Sequence, residues 1–295
     1  MARQSIAAER AATRVAVRPR RRRWLGALGL YVLLIALVVP AVFPFYWMAI
    51  SSIKPEAELF AVNPTLAPGT FSAEFYTRLL VGTPFWRYFL NSLIVAGLTM
   101  ALVCVVAVFA AYALARFRFA GREPFALSLL IGQMFPSVLL AIPLFVIMSQ
   151  LGLLDSYVAL VIAYLTFALP FTTWMLRGYF MTVPEDLEEA AMIDGCSRMG
   201  AMARITLPLA APGIAATAIL GFMLAWNDYL FAAILLNQEE LKTLPIGLSG
   251  YISPWKIDYG VLMSGSVMAT IPVVLFFILV QRYIIAGLTA GAVKG

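Results

Sequence analysis

The sequence predicts an all-α, polytopic membrane protein with six transmembrane helices. Apolar residues make up 62% of the 295 residues and charged residues only 12%. The mean hydropathy of +0.91 is too high for a soluble domain of this length. Six stretches also reach the roughly 20 apolar residues needed to cross a bilayer core about 30 Å thick. They use most of the chain, so we predict one polytopic domain without a separate soluble module.

The chain begins with an Arg-rich arm, residues 1–23, which contains eight of the 21 Lys and Arg residues. The run from Arg20 to Arg23 adjoins the first span, where it is expected to act as an orientation anchor and to touch anionic lipid. A nucleic-acid-binding arm and a twin-arginine export signal are the alternatives. The apolar run from Trp24 to Ile50 is too long for a signal core, and no A-x-A cleavage site follows it. We therefore favour the anchor and expect no nucleic-acid partner.

The predicted spans follow the arm and fill residues 24–50, 90–115, 125–150, 157–179, 208–236 and 260–284. Gln133 and Ser137 lie beside Pro136 and mark an irregular third span, with Pro143 further along. Pro170 marks the fourth span in the same way. Such irregular positions are candidates for lining a substrate path, although packing kinks are the more common reason for a proline in a span.

The basic residues indicate the orientation of these spans. With six spans, the N-terminus, the loops near 116–124 and 177–207 and the C-terminus share one side. That side carries 16 of the 21 Lys and Arg residues, and the positive-inside rule makes it the cytoplasmic side. The acidic residues divide seven inside and eight outside. We therefore predict a multi-pass membrane protein with both termini in the cytoplasm.

Several common chemistries have no candidate residues in this chain. The sequence contains no His, which removes the most common general base and metal ligand. Cys104 lies in the second span and Cys196 in a cytoplasmic loop, so they should not pair. None of the lysines belongs to a G-x-x-x-x-G-K-[ST] phosphate loop. We expect a non-catalytic protein with no metal and no cofactor of its own.

The most informative segment is the polar insert at 181–208, between the fourth and fifth spans. Thr182 and Glu185 have the spacing of a capping box, with Pro184 in the first helical turn. The acids that follow are favoured at a helix start, and Gly195 is suited to end that helix in a left-handed conformation. Ser197 is expected to cap a second short helix that runs through Arg204. The prediction is two short helices joined at a glycine bend.

This insert is more typical of a protein-docking surface than of a lipid-binding helix. The side chains of Ala190 and Ala191 are small enough for a partner to approach the backbone, while Glu189 and Asp194 offer charges to cations of that partner. An amphipathic helix lying on lipid is the alternative. Five of the seven cytoplasmic-side acids fall between residues 185 and 194, and anionic headgroups would repel them.

The spacing of these residues resembles a known family. Glu189-Ala190-Ala191, Gly195, Ile205 and Leu207-Pro208 match, without a gap, the signature loop of importer permeases of ATP-binding-cassette (ABC) systems. The segments 225–232, 243–248 and 286–295 are similar to the six-span permease of the maltose system, in the carbohydrate-uptake branch. The resemblance covers residues 25–295, which leaves the Arg-rich arm outside it.

The resemblance implies a type I ABC importer permease fold in the bacterial cytoplasmic (inner) membrane, with residues 24–295 as the permease domain. It implies a second homologous permease, two cytoplasmic subunits that bind ATP and Mg, and an extracytoplasmic sugar-binding protein. It also implies a C-terminal tail, 286–295, that reaches into the ATPase interface. Its coupling residues, by matching position, are Glu189, Ala190, Ala191, Asp194, Gly195, Ile205, Leu207 and Pro208.

The third and fifth predicted spans and the last outer loop contain candidates for contact with the solute or its binding protein. Asn227, Asp228 and Tyr229 lie about 20 residues into the fifth span, roughly 30 Å along a helix. They could line an outer gate, contact the second permease or cap the span at the headgroups, and Gln133 and Ser137 are further candidates for the substrate path. The resemblance implies that the last outer loop, with Gly247, Tyr251 and Trp255, meets the binding protein.

The expected function is to form half of the translocation pathway for a di- or oligosaccharide and to couple it to ATP hydrolysis by a separate ATPase. A permease for another solute, such as glycerol-phosphate or an amino acid, would share the signature loop. A secondary transporter would need ionisable groups inside its spans, and apart from Asp228 these spans offer almost none. A membrane-embedded enzyme would need clustered acids, His or Cys at one depth, which are missing.

Overall fold

The computed structural model describes residues 20–253 and 257–292, with side chains for 27–253 and 257–283. The described residues are helical apart from turns, loops and one isolated bridge between Ile252 and Ile257, which confirms the all-α prediction. The chain divides into two compact units, residues 1–50 and 51–295. The first unit holds most of helix α1 (Arg20–Ser52), which begins inside the predicted Arg-rich arm, and all sites discussed below lie in the second.

Short helices connect the long ones in the first half of the second unit. After α1 the chain forms α2 (Glu56–Leu59), α3 (Glu74–Gly82), α4 (Phe85–Arg116), α5 (Arg122–Gly132), α6 (Ala141–Gln150) and α7 (Tyr157–Thr182). Helices α1, α4 and α7 are long and apolar enough to cross a membrane. They correspond to the first, second and fourth predicted spans.

The second half contains the polar insert and the last two predicted spans. Its helices are α8 (Glu185–Ile193), α9 (Arg198–Ala201), α10 (Leu207–Leu209), α11 (Ala211–Asn227), α12 (Leu230–Leu235), α13 (Leu244–Ser249) and α14 (Tyr259–Ala292). Helix α14 is also long enough to cross a membrane. It continues through Ala292, so residues 286–292 of the predicted tail are helical, while residues 293–295 lie outside the described ones.

Two predicted spans are bent, which gives six spans when each bent pair counts as one. The third changes direction by 94° between α5 and the segment Ser137–Gln150, which begins with a 3₁₀ turn at Ser137 directly after Pro136. This confirms the predicted irregularity there. The fifth is bent by 79° between Arg198–Leu209 and α11, and it breaks again after Asn227.

The prediction of a similar irregularity at Pro170 is wrong. Pro170 lies inside α7, which is helical from Tyr157 to Thr182. A proline in a helix removes one backbone hydrogen bond and crowds the preceding carbonyls. Here Gln133 Nε2 of the neighbouring span donates to the carbonyl of Phe167 at 2.7 Å. A neighbouring side chain thus supports the backbone near the proline, which is how spans tolerate it.

The core of the second unit lies where α4, α7, α11 and α14 meet. A large apolar cluster includes Phe85, Tyr164 and Trp226, and a smaller one beside the polar insert includes Leu176 and Phe180. Glycine permits a close helix crossing: a Cβ built on Gly213 of α11 would lie 2.4 Å from the Tyr179 ring of α7. Small residues at such crossings are typical of helix packing in membranes. Cys104 and Cys196 are both free, as predicted.

Candidate functional site

The polar insert forms a rigid bend, residues 185–206, which we call the elbow. Helix α8 ends at Ile193 with Asp194 as its C-cap, and Gly195 follows with φ of +91°, a conformation that glycine adopts without a Cβ penalty. The N–H of Cys196 donates to the Ala191 carbonyl at 3.0 Å, and that of Gly195 to Met192 at 3.1 Å. These two bonds are the Schellman pattern of a helix C-terminus. They confirm the prediction that Gly195 ends this helix in a left-handed conformation.

The predicted capping box at the start of α8 is wrong. The residue before α8 is Pro184, and no side chain caps this helix. Thr182 is still in the last turn of α7, where its hydroxyl donates to the Tyr179 carbonyl at 2.7 Å. The cause is Pro184, which disfavours helical backbone at Val183. Val183 is therefore extended and ends α7. Thr182 belongs to α7 and does not cap α8.

The second arm of the elbow begins as predicted and continues differently. Ser197 Oγ accepts the N–H of Gly200 at 3.1 Å and so caps α9. The expected α-helix through Arg204 ends at Ala201, and residues Met202–Thr206 form a π-helical turn. Turns of this kind occur often at functional sites.

The predicted coupling residues lie in two segments of the elbow region, and they differ in exposure. Glu189, Ala190, Asp194 and Gly195 are exposed, whereas Ala191 is half-buried. Further along, Ile205 and Leu207 are half-buried and Pro208 is exposed. The first group gives the elbow a surface with two carboxylates around small residues. Such a surface is accessible to a partner.

A buried glutamate that the sequence analysis did not select anchors the elbow. Glu188 is 5% exposed. Its Oε1 accepts from Arg116 Nε at 2.7 Å and from Thr206 Oγ1 at 2.5 Å. Its Oε2 accepts from Tyr112 OH at 2.7 Å. We call Tyr112, Arg116, Glu188 and Thr206 the anchor cluster.

The anchor cluster favours the charged form of Glu188. Burial alone would raise its pKa, but the hydrogen bonds from Thr206, Tyr112 and Arg116 outweigh burial and hold the pKa of this carboxyl below its ordinary value. A carboxylate that accepts several hydrogen bonds is expected to behave in this way. Its position in the first turn of α8 also suits a negative charge. The sequence signal was its helical spacing from Ala191 and Met192, which are half-buried.

The two loops that were predicted to share the cytoplasmic side contact each other. Besides the Arg116–Glu188 pair, Arg177 Nη2 lies 2.6 Å from Glu123 Oε1. The hydrogen bond from Arg177 is the main reason that the pKa of Glu123 lies below its ordinary value. These pairs place the 116–124 loop and the elbow at the same end of the helices.

A cavity of about 480 Å³ lies where the bent third span meets the break in the fifth. Four of the five predicted path residues line it, namely Gln133, Ser137, Asn227 and Asp228. Tyr229 does not line it and is exposed. The structure thus brings together residues that are about 90 positions apart, because both chain segments leave the helical conformation at this point.

Asp228 stabilises the break in the fifth span. Its Oδ2 accepts the N–H of Ala232 at 3.1 Å, in the first turn of α12, and the hydroxyl of Tyr164 at 2.9 Å. Asp228 stands one residue before the N-cap Tyr229, and its carboxylate satisfies a first-turn N–H as a capping side chain would. The nearby Asn227 donates Nδ2 to the Met223 carbonyl at 2.9 Å, which leaves its amide oxygen as an acceptor. The aromatic rings of Phe135, Phe167 and Phe231 also line the cavity.

The last outer loop is packed against α4. Asn91 Nδ2 donates to the carbonyls of Glu240 and Lys242, each at 2.8 Å. A Cβ on Gly247 would lie 2.1 Å from the Tyr88 ring, so the packing of α13 accounts for this glycine. Tyr251 is half-buried, and Trp255 lies outside the described residues.

Comparisons with known proteins agree with this architecture. Residues 105–289 match the family described as "Binding-protein-dependent transport system inner membrane component". The inner membrane ABC transporter permease protein YcjP of Escherichia coli is 40% identical over 93% of this chain and 99% of its own length. The diacetylchitobiose uptake system permease protein DasC of Streptomyces coelicolor is 36% identical over 93% of this chain and 100% of its own length.

A solved structure has the same fold. One chain in the crystal structure of a bacterial ABC transporter that imports the acidic polysaccharide alginate aligns with a TM-score of 0.78 and 26% identity. The alignment covers 91% of this chain and 99% of that one. Together with the family match over more than half of the sequence, this shows that the chain belongs to the inner-membrane permease family of binding-protein-dependent ABC importers.

Proposed function

We propose that this permease forms half of the translocation pathway for a di- or oligosaccharide and that a separate ATPase drives it through the elbow. The observation that carries the proposal is the exposed surface around Glu189, Ala190, Asp194 and Gly195, which has the spacing of the family's signature loop. Its carboxylates suit cations in a partner's cleft, and its small residues allow close approach. The sequence contains no G-x-x-x-x-G-K-[ST] phosphate loop, so we assign ATP and Mg to that partner.

The assembly that follows contains a second homologous permease, two cytoplasmic ATP-binding subunits and an extracytoplasmic sugar-binding protein. The contacts between the elbow and the 116–124 loop support a common side for the basic loops, and the positive-inside rule supports the cytoplasm for that side. Both termini then lie in the cytoplasm, with the tail 286–295 near the ATPases. The last outer loop, with Tyr251 and Trp255, faces the binding protein.

The proposal of a sugar rests on the relatives and on the cavity. The names of two similar proteins refer to diacetylchitobiose uptake and to alginate import. The cavity combines aromatic faces with amide, hydroxyl and carboxylate groups, a combination that suits a ligand with apolar ring faces and many hydroxyl groups. We therefore assign Gln133, Ser137, Asn227 and Asp228 to the substrate path.

The elbow assignment is tested with Gly195→Pro and Glu189→Lys in the full chain. Proline cannot adopt the positive φ of Gly195 and lacks the N–H that bonds Met192, while Glu189→Lys reverses one surface charge. We expect normal membrane insertion, loss of ATPase co-purification and loss of ATP hydrolysis stimulated by the binding protein. Asp186→Asn, an exposed position on the same helix, is the matched control. Wild-type hydrolysis in both variants would refute the assignment.

The class of solute is tested on the cognate binding protein by thermal shift. The panel contains maltose, diacetylchitobiose and oligoalginate, with glycerol-phosphate and amino acids as competing classes. We expect a di- or oligosaccharide to raise the melting temperature most. Stabilisation by glycerol-phosphate or an amino acid alone would replace the sugar in this proposal and leave the role of the elbow intact.

The cavity is tested by Asn227→Ala, measured as uptake of the sugar that the thermal-shift panel selects. Losing one neutral hydrogen bond to the solute should raise the half-saturating concentration about fivefold, with basal ATP hydrolysis unchanged. Asn63→Ala, at an exposed position in the predicted outer segment between the first and second spans, is the control. Unchanged uptake by Asn227→Ala would remove Asn227 from the path.

A further inference from the structure

The anchor cluster joins parts of the chain that lie far apart in sequence. Tyr112 and Arg116 are in the last turns of α4, Glu188 is in the first turn of α8, and Thr206 ends the π-helical turn that leads to α10. Arg116 Nη2 also donates to the Val183 carbonyl at 2.9 Å, where α7 ends. One carboxylate and one guanidinium therefore hold the elbow to the ends of three spans.

The cluster is buried and its polar groups are paired. The side chains of Arg116 and Glu188 are 4% and 6% exposed, and Thr206 is fully buried. Arg116 uses Nε for Glu188 and Nη2 for the Val183 carbonyl. A buried ion pair is a weak source of stability, and its best-attested use is to fix one arrangement of the elements around it.

Anchoring and docking occupy adjacent residues on different faces of α8. Glu188 points inward, whereas Glu189 and Ala190 are exposed. A force applied by a partner at the exposed residues is therefore delivered one residue away from the point where α8 is tied to α4 and to the π-helical turn.

We propose that Glu188 and Arg116 are positioning residues that make the elbow and the inner ends of the second, fourth and fifth spans move as one body when the ATPase closes. This inference rests on the proposed docking of an ATPase at the elbow. It assigns no contact with ATP or with the solute to the cluster. If the anchor cluster is broken, an ATPase that docks at the elbow should no longer move the spans.

The experiment measures distances between spin labels in the complete transporter, reconstituted with the partners that co-purify with the wild-type chain. The labels are placed at Met199→Cys on the elbow and Met181→Cys at the end of α7, which are 52% and 58% exposed. Both native cysteines are replaced by Ser. Distances are recorded without nucleotide and with ATP, Mg and vanadate. These probes do not require the identity of the solute.

The anchored elbow should keep one narrow distance to α7 in both states, because the two move together. In Glu188→Gln the distribution should broaden when vanadate traps the closed ATPase, which stays bound. Thr206→Val and Tyr112→Phe each remove one hydroxyl and should broaden the distribution less. Thr206→Ser restores the hydroxyl and should restore the narrow distance, a rescue that loss of general stability does not predict. Asp186→Asn on the same helix should match the wild type.

Narrow wild-type distributions in Glu188→Gln and Thr206→Val, with the ATPase bound and vanadate present, would overturn the proposal. That result would leave ATPase docking at the elbow standing. If no ATPase binds even the wild-type chain, the proposed function itself fails, and co-purification reveals this before any label is attached. If Glu188→Gln does not fold, the two hydroxyl variants and the Thr206→Ser rescue still decide the question.

Discussion

At Glu188 and Glu189, one step along α8 separates a buried carboxylate from an exposed one. Sequence reasoning selected Glu189 from its place in the signature spacing, and the structure places it on the accessible surface. It missed Glu188 because the partners of that residue are remote in sequence. Arg116 precedes it by 72 positions, and only the packing of α4 against the elbow brings the two together.

The ionisation of Glu188 leads to a pH prediction at the residue scale. The pKa of this carboxyl lies below its ordinary value in the folded chain, so the unfolded chain binds its proton more readily. Its contribution to stability is present above the unfolded pKa and is lost as the pH falls through the folded one. The groups that face it are Arg116, Tyr112 and Thr206, with Glu185 3.9 Å from Arg116.

We expect the difference in melting temperature between wild type and Glu188→Gln to be constant above pH of about 5 and to shrink at lower pH. Thermal unfolding of the purified chain across pH measures this difference. Asp186→Asn, which removes an exposed carboxylate, provides the reference curve. A difference that does not change at acidic pH would contradict the ionised state assigned to Glu188.

Asp228 yields a second residue-scale prediction. Its side chain caps α12 and accepts the Tyr164 hydroxyl, and losing a cap of this kind costs about 1 kcal/mol. Asp228→Ala should therefore lower the melting temperature, while Asp228→Asn, which keeps an acceptor oxygen, should lower it less. Thermal unfolding in detergent compares the two variants. Equal stability of Asp228→Ala and wild type would show that the cap does not support the break.

At the scale of helices, the positions and order of the spans were predictable, but the shape of two of them was predictable only in part. Apolar length located every span, and Pro136 indicated the bend in the third. Pro170 gave the same local signal without a break, because Gln133 of a neighbouring span donates to the nearby Phe167 carbonyl. The break at Asp228 was not predicted, since it depends on a tertiary partner, Tyr164. Local sequence reports where a helix is weak, and packing decides whether it breaks.

Helix crossing provides a prediction at this scale. Gly213 meets the Tyr179 ring so closely that a Cβ would lie 2.4 Å from it, whereas Gly178, on the same helix as Tyr179, has no atom within 4 Å of a Cβ. Gly213→Ala should destabilise the α7–α11 crossing by about 1–3 kcal/mol through overpacking. Gly178→Ala should be neutral or slightly stabilising because of helix propensity.

The two glycine variants can be compared by thermal unfolding and by the fraction of chain that remains monodisperse in mild detergent. They are matched in chemistry and both lie in helices beside the same crossing. A Gly213→Ala variant as stable as Gly178→Ala would mean that Tyr179 moves aside without cost.

For the whole molecule, the sequence predicts which side of the membrane each end faces, and the structure shows which loops share an end. The basic residues predict which end faces the cytoplasm, whereas the structure gathers the elbow and the 116–124 loop at one end through the Arg116–Glu188 and Arg177–Glu123 pairs. That these two loops share an end was therefore foreseeable from the number of spans. The cavity was not, because its shape depends on two bends that must meet.

Cys196, in the elbow, provides a native reporter of sidedness. In a Cys104→Ser background, a membrane-impermeant maleimide should label Cys196 in inside-out vesicles and spare it in intact cells. Val62→Cys, in a background without native cysteines, should show the opposite pattern, because Val62 lies in the outer segment and is 97% exposed. Cys196→Ser controls for background labelling. Labelling of Cys196 from outside would reverse the predicted topology.

The corner at residues 133–136 restricts which flank of the subunit can face the lipid. Backbone that leaves the helix at membrane depth is stable against protein or water but not against lipid tails. The corner and the break at Asp228 border the same cavity, so this flank of the subunit should not face lipid. We therefore expect that flank to face protein or water rather than lipid tails.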